Sequence, residues 1–223
     1  MVEKNVTVDR IADFFQMLDS TLDGPMEILL IGGGAMAVRG EKVATKDIDL
    51  VVPDKNDYSL LLEALGRIGF RPPDRLDRPY KMMRTNIFIH EEGYWIDTFC
   101  DNICERFLVH SGIMKRAEKY LELEKVAVLV MSREDIFLSK SVTERVGDLD
   151  DMHEMFIRGL DEEVILDEVH FQTDRSSGGT IWEAFLVSKL DDLEERFGIR
   201  VPFKAEVEKR ANRELERILK SQI

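Results

Sequence analysis

The sequence is poor in cysteine, with two in 223 residues. Cys100 and Cys104 lie four positions apart, and no histidine or further cysteine stands near them at the spacing of a zinc site. Two thiols are too few for the disulfide frameworks of small secreted domains. We therefore expect both cysteines to be reduced and structural, in a chain long enough to fold around its own hydrophobic core.

Long apolar runs are also missing. No segment approaches the roughly 20 apolar residues that a membrane-spanning helix needs. The first ten residues, MVEKNVTVDR, lack the apolar core of a signal peptide. The sequence therefore predicts a cytoplasmic protein with no membrane partner.

The sequence also lacks an excess of basic residues. The chain has 31 lysines and arginines against 44 aspartates and glutamates, a formal net charge of −13 at pH 7. Proteins that hold duplex nucleic acid through many phosphates usually present a basic surface. A broad nucleic-acid interface is therefore disfavoured, although a local basic pocket is compatible with the composition. The loop 70–84 holds Arg71, Arg75, Arg78 and Lys81; we expect it to be solvated, and steering of a polyanionic acceptor is the alternative.

The pattern of apolar residues changes near residue 131. Before it, short apolar runs bounded by glycine and proline alternate with amphipathic stretches, which is typical of an α/β domain. After it, apolar residues recur at helical spacing. We predict an α/β domain over residues 1–131 and a helical domain over residues 132–223. In the first domain the predicted strands are 26–31, 46–52, 86–90, 94–99 and 125–131, and the predicted helices are 7–22, 56–68 and, less regularly, 102–120.

Residues 28–52 hold the main group of residues suited to chemistry. An apolar run leads into Gly32, Gly33 and Gly34, and a second apolar run contains Asp47 and Asp49. Alternate side chains of a strand point to the same side, so the two aspartates would share one face. Two such carboxylates repel each other unless a cation lies between them, and the hard, oxygen-binding Mg²⁺ fits best. The alternative is structural, with Asp47 capping the start of the strand and Asp49 pairing with Lys46 or an arginine.

The glycine turn also invites comparison with known phosphate-binding motifs, because backbone N–H groups after a strand can bind phosphates. It is not a P-loop, since no Gly-Lys-Ser/Thr follows. The three glycines are contiguous, so their spacing does not fit a dinucleotide-binding fingerprint. The Asp-Ile-Asp sequence also argues against a Rossmann-type cofactor site, which would not contain it.

Residues 31–33, an apolar residue and two glycines, are followed after thirteen residues by Asp-Ile-Asp at 47–49. This combination resembles the signature of the nucleotidyltransferase superfamily, whose core is like that of DNA polymerase β. The family's third carboxylate lies on a later strand among apolar residues, and Asp97 in YWIDTF matches it. The resemblance implies a short mixed sheet flanked by helices, with Mg²⁺ or Mn²⁺ held by the three aspartates and a nucleoside triphosphate bound at the glycine turn.

The resemblance extends to bacterial and archaeal relatives, among them the AbiEii-type toxin nucleotidyltransferases. These carry a lysine, an arginine about five residues on, and a pair of aspartates, and Lys140, Arg145, Asp148 and Asp151 occupy those places. The spacing from the lysine to the aspartates is tighter here than in the toxins themselves. Both aspartates are equally compatible with acids that stabilise a helix N-terminus, and Lys140 with a solvated helix residue.

The reaction implied by the resemblance is metal-assisted transfer of a nucleoside monophosphate from a nucleoside triphosphate to a hydroxyl group. Asp97 would help to hold a second ion or act as general base, and Arg39 and Lys140 would stabilise the charge of the triphosphate. The acceptor stays open between an RNA 3′ end, a protein side chain and a small molecule. A toxin–antitoxin relation, with a cognate protein partner or a homo-oligomer, belongs to the same expectation. The alternative is a non-catalytic nucleotide-binding or partner-binding protein that keeps the fold.

Overall fold

We describe the fold from a computed structural model of the chain, which covers residues 5–73, 86–143, 145, 147–175 and 181–221. The chain forms two compact units, Met1–Ser132 and Arg133–Ile223. Arg71 of the predicted basic loop lies within the described residues, whereas Arg75, Arg78 and Lys81 lie outside them. Within the described part of the chain, no helix has both the length and the apolar character needed to cross a membrane.

The first unit contains both helices and strands. In chain order they are α1 (Val8–Thr21), β1 (Met26–Ile31), α2 (Gly32–Val38), β2 (Asp47–Val51), α3 (Lys55–Arg67), β3 (Asn86–Ile89), β4 (Trp95–Phe99), β5 (Asn102–Ile103), β6 (Phe107–Leu108), α4 (Ser111–Arg116), β7 (Glu118–Glu122) and β8 (Val126–Val130). Strands β5 and β6 pair only with each other, and the remaining six form one sheet in the order β3-β4-β2-β1-β8-β7.

The six-stranded sheet is mixed. Strand β1 runs antiparallel to β2 and parallel to β8, and β2 runs parallel to β4. The edge strands β3 and β7 each run antiparallel to their neighbour. Strands β1, β2 and β4 carry buried apolar side chains on both faces, as is typical of a sheet covered by helices. The predicted mixed sheet flanked by helices, followed by a helical C-terminal part, is confirmed.

Helix α1 shows how the first unit buries its apolar residues. Its side chains at helical spacing, Ile11, Phe14, Phe15 and Leu18, are fully buried, and the helix contacts α2, α3 and β8. The carboxylate of Asp19 accepts the backbone N–H groups of Lys125 and Val126 at 2.7 and 2.8 Å. The helix is thereby attached to the beginning of β8.

The predicted helix over residues 102–120 is wrong. This stretch forms the β5–β6 hairpin, the short helix α4 and the edge strand β7. The hairpin turn places Cys104 and Glu105 at φ values of 54° and 55°, a conformation for which the usual signal is glycine or asparagine. Strand β7 reads EKYLE, whose charged residues do not alternate with apolar ones in the manner of a strand. Neither the β5–β6 hairpin nor strand β7 has a sequence pattern that distinguishes it from an irregular helix.

The second unit is helical in every element that the structure describes. Its helices are α5 (Arg133–Ser141), α6 (Asp148–Ile157), α7 (Glu162–Arg175), α8 (Trp182–Phe197) and α9 (Lys204–Ser221). Helix α8 contacts the other four and buries Leu186, Leu190 and Leu193 at helical spacing. It ends at Gly198, whose φ of +63° is the left-handed cap that glycine adopts without strain.

Candidate functional site

Two neighbouring strands bring three aspartates together. Asp47 and Asp49 lie on β2, two positions apart, so their side chains share a face of the sheet. On the adjacent parallel strand β4, Asp97 is the register partner of Asp49. Aligned residues of neighbouring strands point to the same face, so Asp97 joins the two aspartates of β2.

The three carboxylates are close to one another and largely buried. One oxygen can be chosen from each so that all three lie within 4.8 Å of one another. Asp49 is 7% and Asp97 1% exposed, while Asp47 is half-buried. Grouping buried negative charges is unfavourable without compensation. Three carboxylate oxygens are the ligand set that Mg²⁺ and Mn²⁺ prefer, so these residues fit a hard divalent cation.

The glycine turn adjoins this group of aspartates. Strand β1 pairs with β2 so that Ile31, its last residue, is the partner of Asp49. Gly32 follows with a φ of +58°, and a Cβ at this position would lie 2.4 Å from Oδ2 of Asp49. Only glycine combines this backbone conformation with room for the neighbouring carboxylate.

Gly33 and Gly34 are close to other side chains. A Cβ on Gly33 would lie 2.4 Å from Oγ1 of Thr45, and a Cβ on Gly34 would lie 3.0 Å from Cδ1 of Leu30. Both glycines are buried. Close packing therefore accounts for small residues at both positions, and phosphate binding by this turn stays a prediction.

Thr45 is a residue that the sequence interpretation missed. It is buried, and its hydroxyl oxygen lies 3.5 Å from Oδ1 of Asp47. It also forms an isolated antiparallel bridge with Val6, near the beginning of the chain. Its position two residues before Asp47 could have indicated this role, because side chains two residues apart in an extended segment lie on the same side.

Arg39, predicted to stabilise the triphosphate, lies just after α2. Its guanidinium pairs with Glu41 at 3.4 Å and with Glu118 of β7 at 2.9 Å. Both partners belong to the first unit, and the Glu41 side chain is fully buried. These ion pairs give Arg39 a structural role. Its contact with a triphosphate stays a prediction.

Lys140 lies on α5 in the second unit. Its ammonium pairs with Asp148 at 3.1 Å and with Asp151 at 2.7 Å, and all three side chains are largely buried. Burial alone would lower the pKa of Lys140, but the charges of Asp148 and Asp151 and their hydrogen bonds outweigh it and raise the pKa. Lys140 is therefore a charged residue between two carboxylates, and its catalytic role stays a prediction.

Asp148 contacts several of the residues around Lys140 on which the family resemblance also rests. Its carboxylate accepts from the ammonium of Lys140, the hydroxyl of Thr143 and the backbone N–H of Arg145. Asp148 and Asp151 also lie in the first turn of α6, where acids are favoured by the helix dipole. The structural alternative for the two aspartates, acids at a helix N-terminus, describes this arrangement. The alternative of a solvated lysine is wrong for Lys140, because its side chain is 12% exposed and pairs with both aspartates.

The histidine of the β3–β4 connection and the two cysteines have structural environments. His90 packs between Phe70 and Tyr94, with ring centroids 5.0 Å from each. Cys100 and Cys104 are not joined in a disulfide. Burial, and then the charge of Asp101, raise the pKa of Cys100, which favours the unreactive thiol form.

A family model described as "Nucleotidyltransferase of unknown function (DUF6036)" matches residues 8–178, more than half of the chain. The matched range includes the glycine turn, the three aspartates and Lys140. No curated protein matches the chain.

Proposed function

Because the chain belongs to a family of nucleotidyltransferases of unknown function, we propose that it transfers a nucleoside monophosphate from a nucleoside triphosphate to a hydroxyl acceptor, with Mg²⁺ or Mn²⁺. The observation that carries this proposal is the group of three carboxylates on β2 and β4. One oxygen from each lies within 4.8 Å of the others, and Asp49 adjoins the glycine turn that ends β1. A divalent cation is the partner that would offset three negative charges at this separation.

Asp47, Asp49 and Asp97 would hold the ion. When bound, Mg²⁺ would neutralise the charge that develops on the phosphate oxygens and align the reacting oxygens. Gly32 leaves room for the Asp49 carboxylate, and Gly32, Gly33 and Gly34 would let phosphate groups approach the backbone. Arg39 and Lys140 are proposed to contribute positive charge toward the triphosphate.

The reaction is an in-line displacement at the α-phosphorus. A bond forms between the acceptor oxygen and the α-phosphorus, and the bond from that phosphorus to the bridging oxygen of the β-phosphate breaks. Pyrophosphate leaves with the electron pair of this bond. The proton of the acceptor hydroxyl would pass to the Asp97 carboxylate if Asp97 acts as general base, which is the alternative to its binding the ion.

The acceptor is proposed at the level of a hydroxyl group on an RNA 3′ end, a protein side chain or a small molecule. The net charge of −13 makes a long nucleic acid the least favoured of these. A relation to AbiEii-type toxins is proposed only from the resemblance around Lys140, together with a cognate protein partner or a homo-oligomer.

The test is to incubate the protein with each nucleoside triphosphate labelled at the α-phosphate, with Mg²⁺ and a mixed pool of RNA, protein and small hydroxyl compounds. We expect label in one acceptor class, and no label with Asp49→Asn or with EDTA. Binding of nucleotide without transfer to any acceptor would favour the non-catalytic alternative. Absence of both transfer and Mg²⁺-dependent nucleotide binding would contradict the proposal.

A further inference from the structure

We infer that Thr45 is a positioning residue for the candidate metal site, which it serves by orienting the carboxylate of Asp47 through its hydroxyl group. This inference rests on the proposed function, because it assigns Thr45 a role in binding the same cation. Thr45 belongs to no strand of the sheet, yet it lies two residues before the first metal-binding candidate.

The hydroxyl of Thr45 has little freedom to move. Its oxygen lies 3.5 Å from Oδ1 of Asp47. On another side it meets the backbone of Gly33, where an added Cβ would come within 2.4 Å of it. Thr45 is 5% exposed, so water has little access to its side chain. The hydroxyl is therefore confined between the glycine turn and a carboxylate of the site.

The backbone of Thr45 is fixed as well. Its N–H donates to the carbonyl of Val6 at 2.9 Å, and its carbonyl accepts the N–H of Val6 at 2.7 Å. Val6 is 1% exposed. The loop before Thr45 is open to solvent, with Val43 93% exposed. The bridge to Val6 thus separates an exposed loop from a residue held in a defined position.

A fixed hydroxyl beside a metal-binding carboxylate has a known physical consequence. Carboxylate ligands rotate, and an outer partner that hydrogen-bonds one oxygen limits this rotation. Loss of such a partner typically costs 10–100-fold in metal affinity. Thr45 is in place to act on Asp47 in this way, since its hydroxyl, 3.5 Å from Oδ1, can donate to that oxygen while the carboxylate remains available to a cation.

The experiment is a titration of the full chain with Mn²⁺ alone, followed by the electron paramagnetic resonance signal of free Mn²⁺. We compare Thr45→Val, which removes the hydroxyl at nearly constant shape, with Thr45→Ser, which keeps it. We expect Thr45→Val to weaken Mn²⁺ binding by about 10–100-fold and Thr45→Ser to recover most of this loss. Equal affinities of wild type and Thr45→Val would overturn the inference.

The matched control is Thr98→Val. Thr98 lies next to Asp97 on β4, but its side chain points to the opposite face, where its hydroxyl contacts Tyr58 and the carbonyl of Asn86. We expect its Mn²⁺ affinity to equal that of the wild type. If Thr98→Val loses as much Mn²⁺ affinity as Thr45→Val, both losses reflect general damage to the fold. That result would contradict a specific role of Thr45.

Two further measurements keep the outcomes separable. Circular dichroism melting of each variant shows whether it is folded; if Thr45→Val is not, Thr45→Ala takes its place against Thr45→Ser. Asp49→Asn tests the site itself. If the wild type binds Mn²⁺ no better than Asp49→Asn does, the proposed function fails. If wild type binds better than Asp49→Asn and Thr45→Val equals wild type, only the role of Thr45 fails.

Discussion

Gly32 lies directly against the carboxylate of Asp49. A Cβ on Gly32 would come 2.4 Å from Oδ2 of Asp49 and 3.1 Å from its carboxyl carbon. The two residues are seventeen positions apart in sequence, and the antiparallel pairing of β1 with β2 brings them together. The glycine turn and the aspartate strand are therefore parts of one candidate site, because a side chain on Gly32 would displace the carboxylate of Asp49.

Gly32→Ala tests this contact. We expect the alanine to displace Asp49, to lower the stability by about 1–3 kcal/mol through its left-handed backbone, and to weaken Mn²⁺ binding. Urea denaturation measures the free energy of unfolding, and a Mn²⁺ titration measures the affinity.

Gly40→Ala is the matched control for that substitution. Gly40 also has a positive φ, +72°, but a Cβ there would meet no atom within 4 Å. We expect a comparable backbone cost with no change in Mn²⁺ affinity. If both variants lose the same affinity, the contact of Gly32 with Asp49 does not explain the requirement for glycine.

The grouped carboxylates predict that divalent cations stabilise the protein. A ligand that binds only the folded state adds about 2.7 kcal/mol of stability at one hundred times its Kd. We expect the melting temperature of the wild type to rise on replacing EDTA with Mg²⁺. Asp97→Asn should lose this rise, because it removes one of the three ligands.

Asp101→Asn serves as control. Asp101 follows β4, the strand of Asp97, but is not one of the three grouped carboxylates. Its melting temperature should respond to Mg²⁺ as the wild type does. A full Mg²⁺ response of Asp97→Asn would remove Asp97 from the site.

Lys140→Met tests the ion pairs of the second unit. The substitution removes the ammonium that pairs with the largely buried carboxylates of Asp148 and Asp151, and breaking such a pair typically costs about 3–5 kcal/mol. Lys209→Met removes an exposed lysine that pairs with Glu206, and we expect it to cost about 0–1 kcal/mol. Equal losses in urea denaturation would show that the Lys140 pairs contribute no more than a surface pair.

The same pairs predict a pH dependence. The pKa of Lys140 is raised, because the charges of Asp148 and Asp151 outweigh the effect of burial. The stability that charged Lys140 contributes is then fully present below the pKa of an unfolded-state lysine, about 10.4, and is lost as the pH rises through the higher folded-state value. Above about pH 10.4, the stability advantage of wild type over Lys140→Met should therefore shrink. An advantage that is constant through this range would contradict the assignment.

Thr173→Val tests a buried polar contact between α7 and α8. The Thr173 hydroxyl donates to the fully buried Glu183 and accepts the backbone N–H of Trp182 at 2.8 Å. Removal of this hydroxyl takes a partner from two buried groups, which typically costs about 1–3 kcal/mol. Thr173→Ser keeps the hydroxyl and should recover much of the loss in urea denaturation; if it is as unstable as Thr173→Val, the methyl group and not the hydroxyl carries the effect.

Much of the fold followed from local sequence patterns. Alternation on β2 gave the shared face of Asp47 and Asp49, and glycine and proline marked the ends of the strands. Register is different, because the pairing of Asp49 with Asp97 depends on which strands are neighbours. The family resemblance supplied Asp97 where local pattern could not.

The missed features depend on contacts between distant segments. The bridge from Thr45 to Val6 joins two stretches that show no strand pattern. The pairing of Arg39 with Glu118 requires β7, which the sequence predicted as part of a helix. The turn at Cys104 and Glu105 carries no glycine to indicate its left-handed backbone. In each case the local sequence is compatible with more than one structure, and tertiary contacts decide between them.

The cation site is tested most directly by diffraction from crystals of the protein grown with Mn²⁺ and a non-hydrolysable nucleoside triphosphate, recorded for the anomalous signal of manganese. We expect an anomalous peak bonded to carboxylate oxygens of Asp47, Asp49 and Asp97, with the triphosphate beside the glycine turn. A bound nucleotide whose Mn²⁺ lies away from these three carboxylates would contradict this expectation.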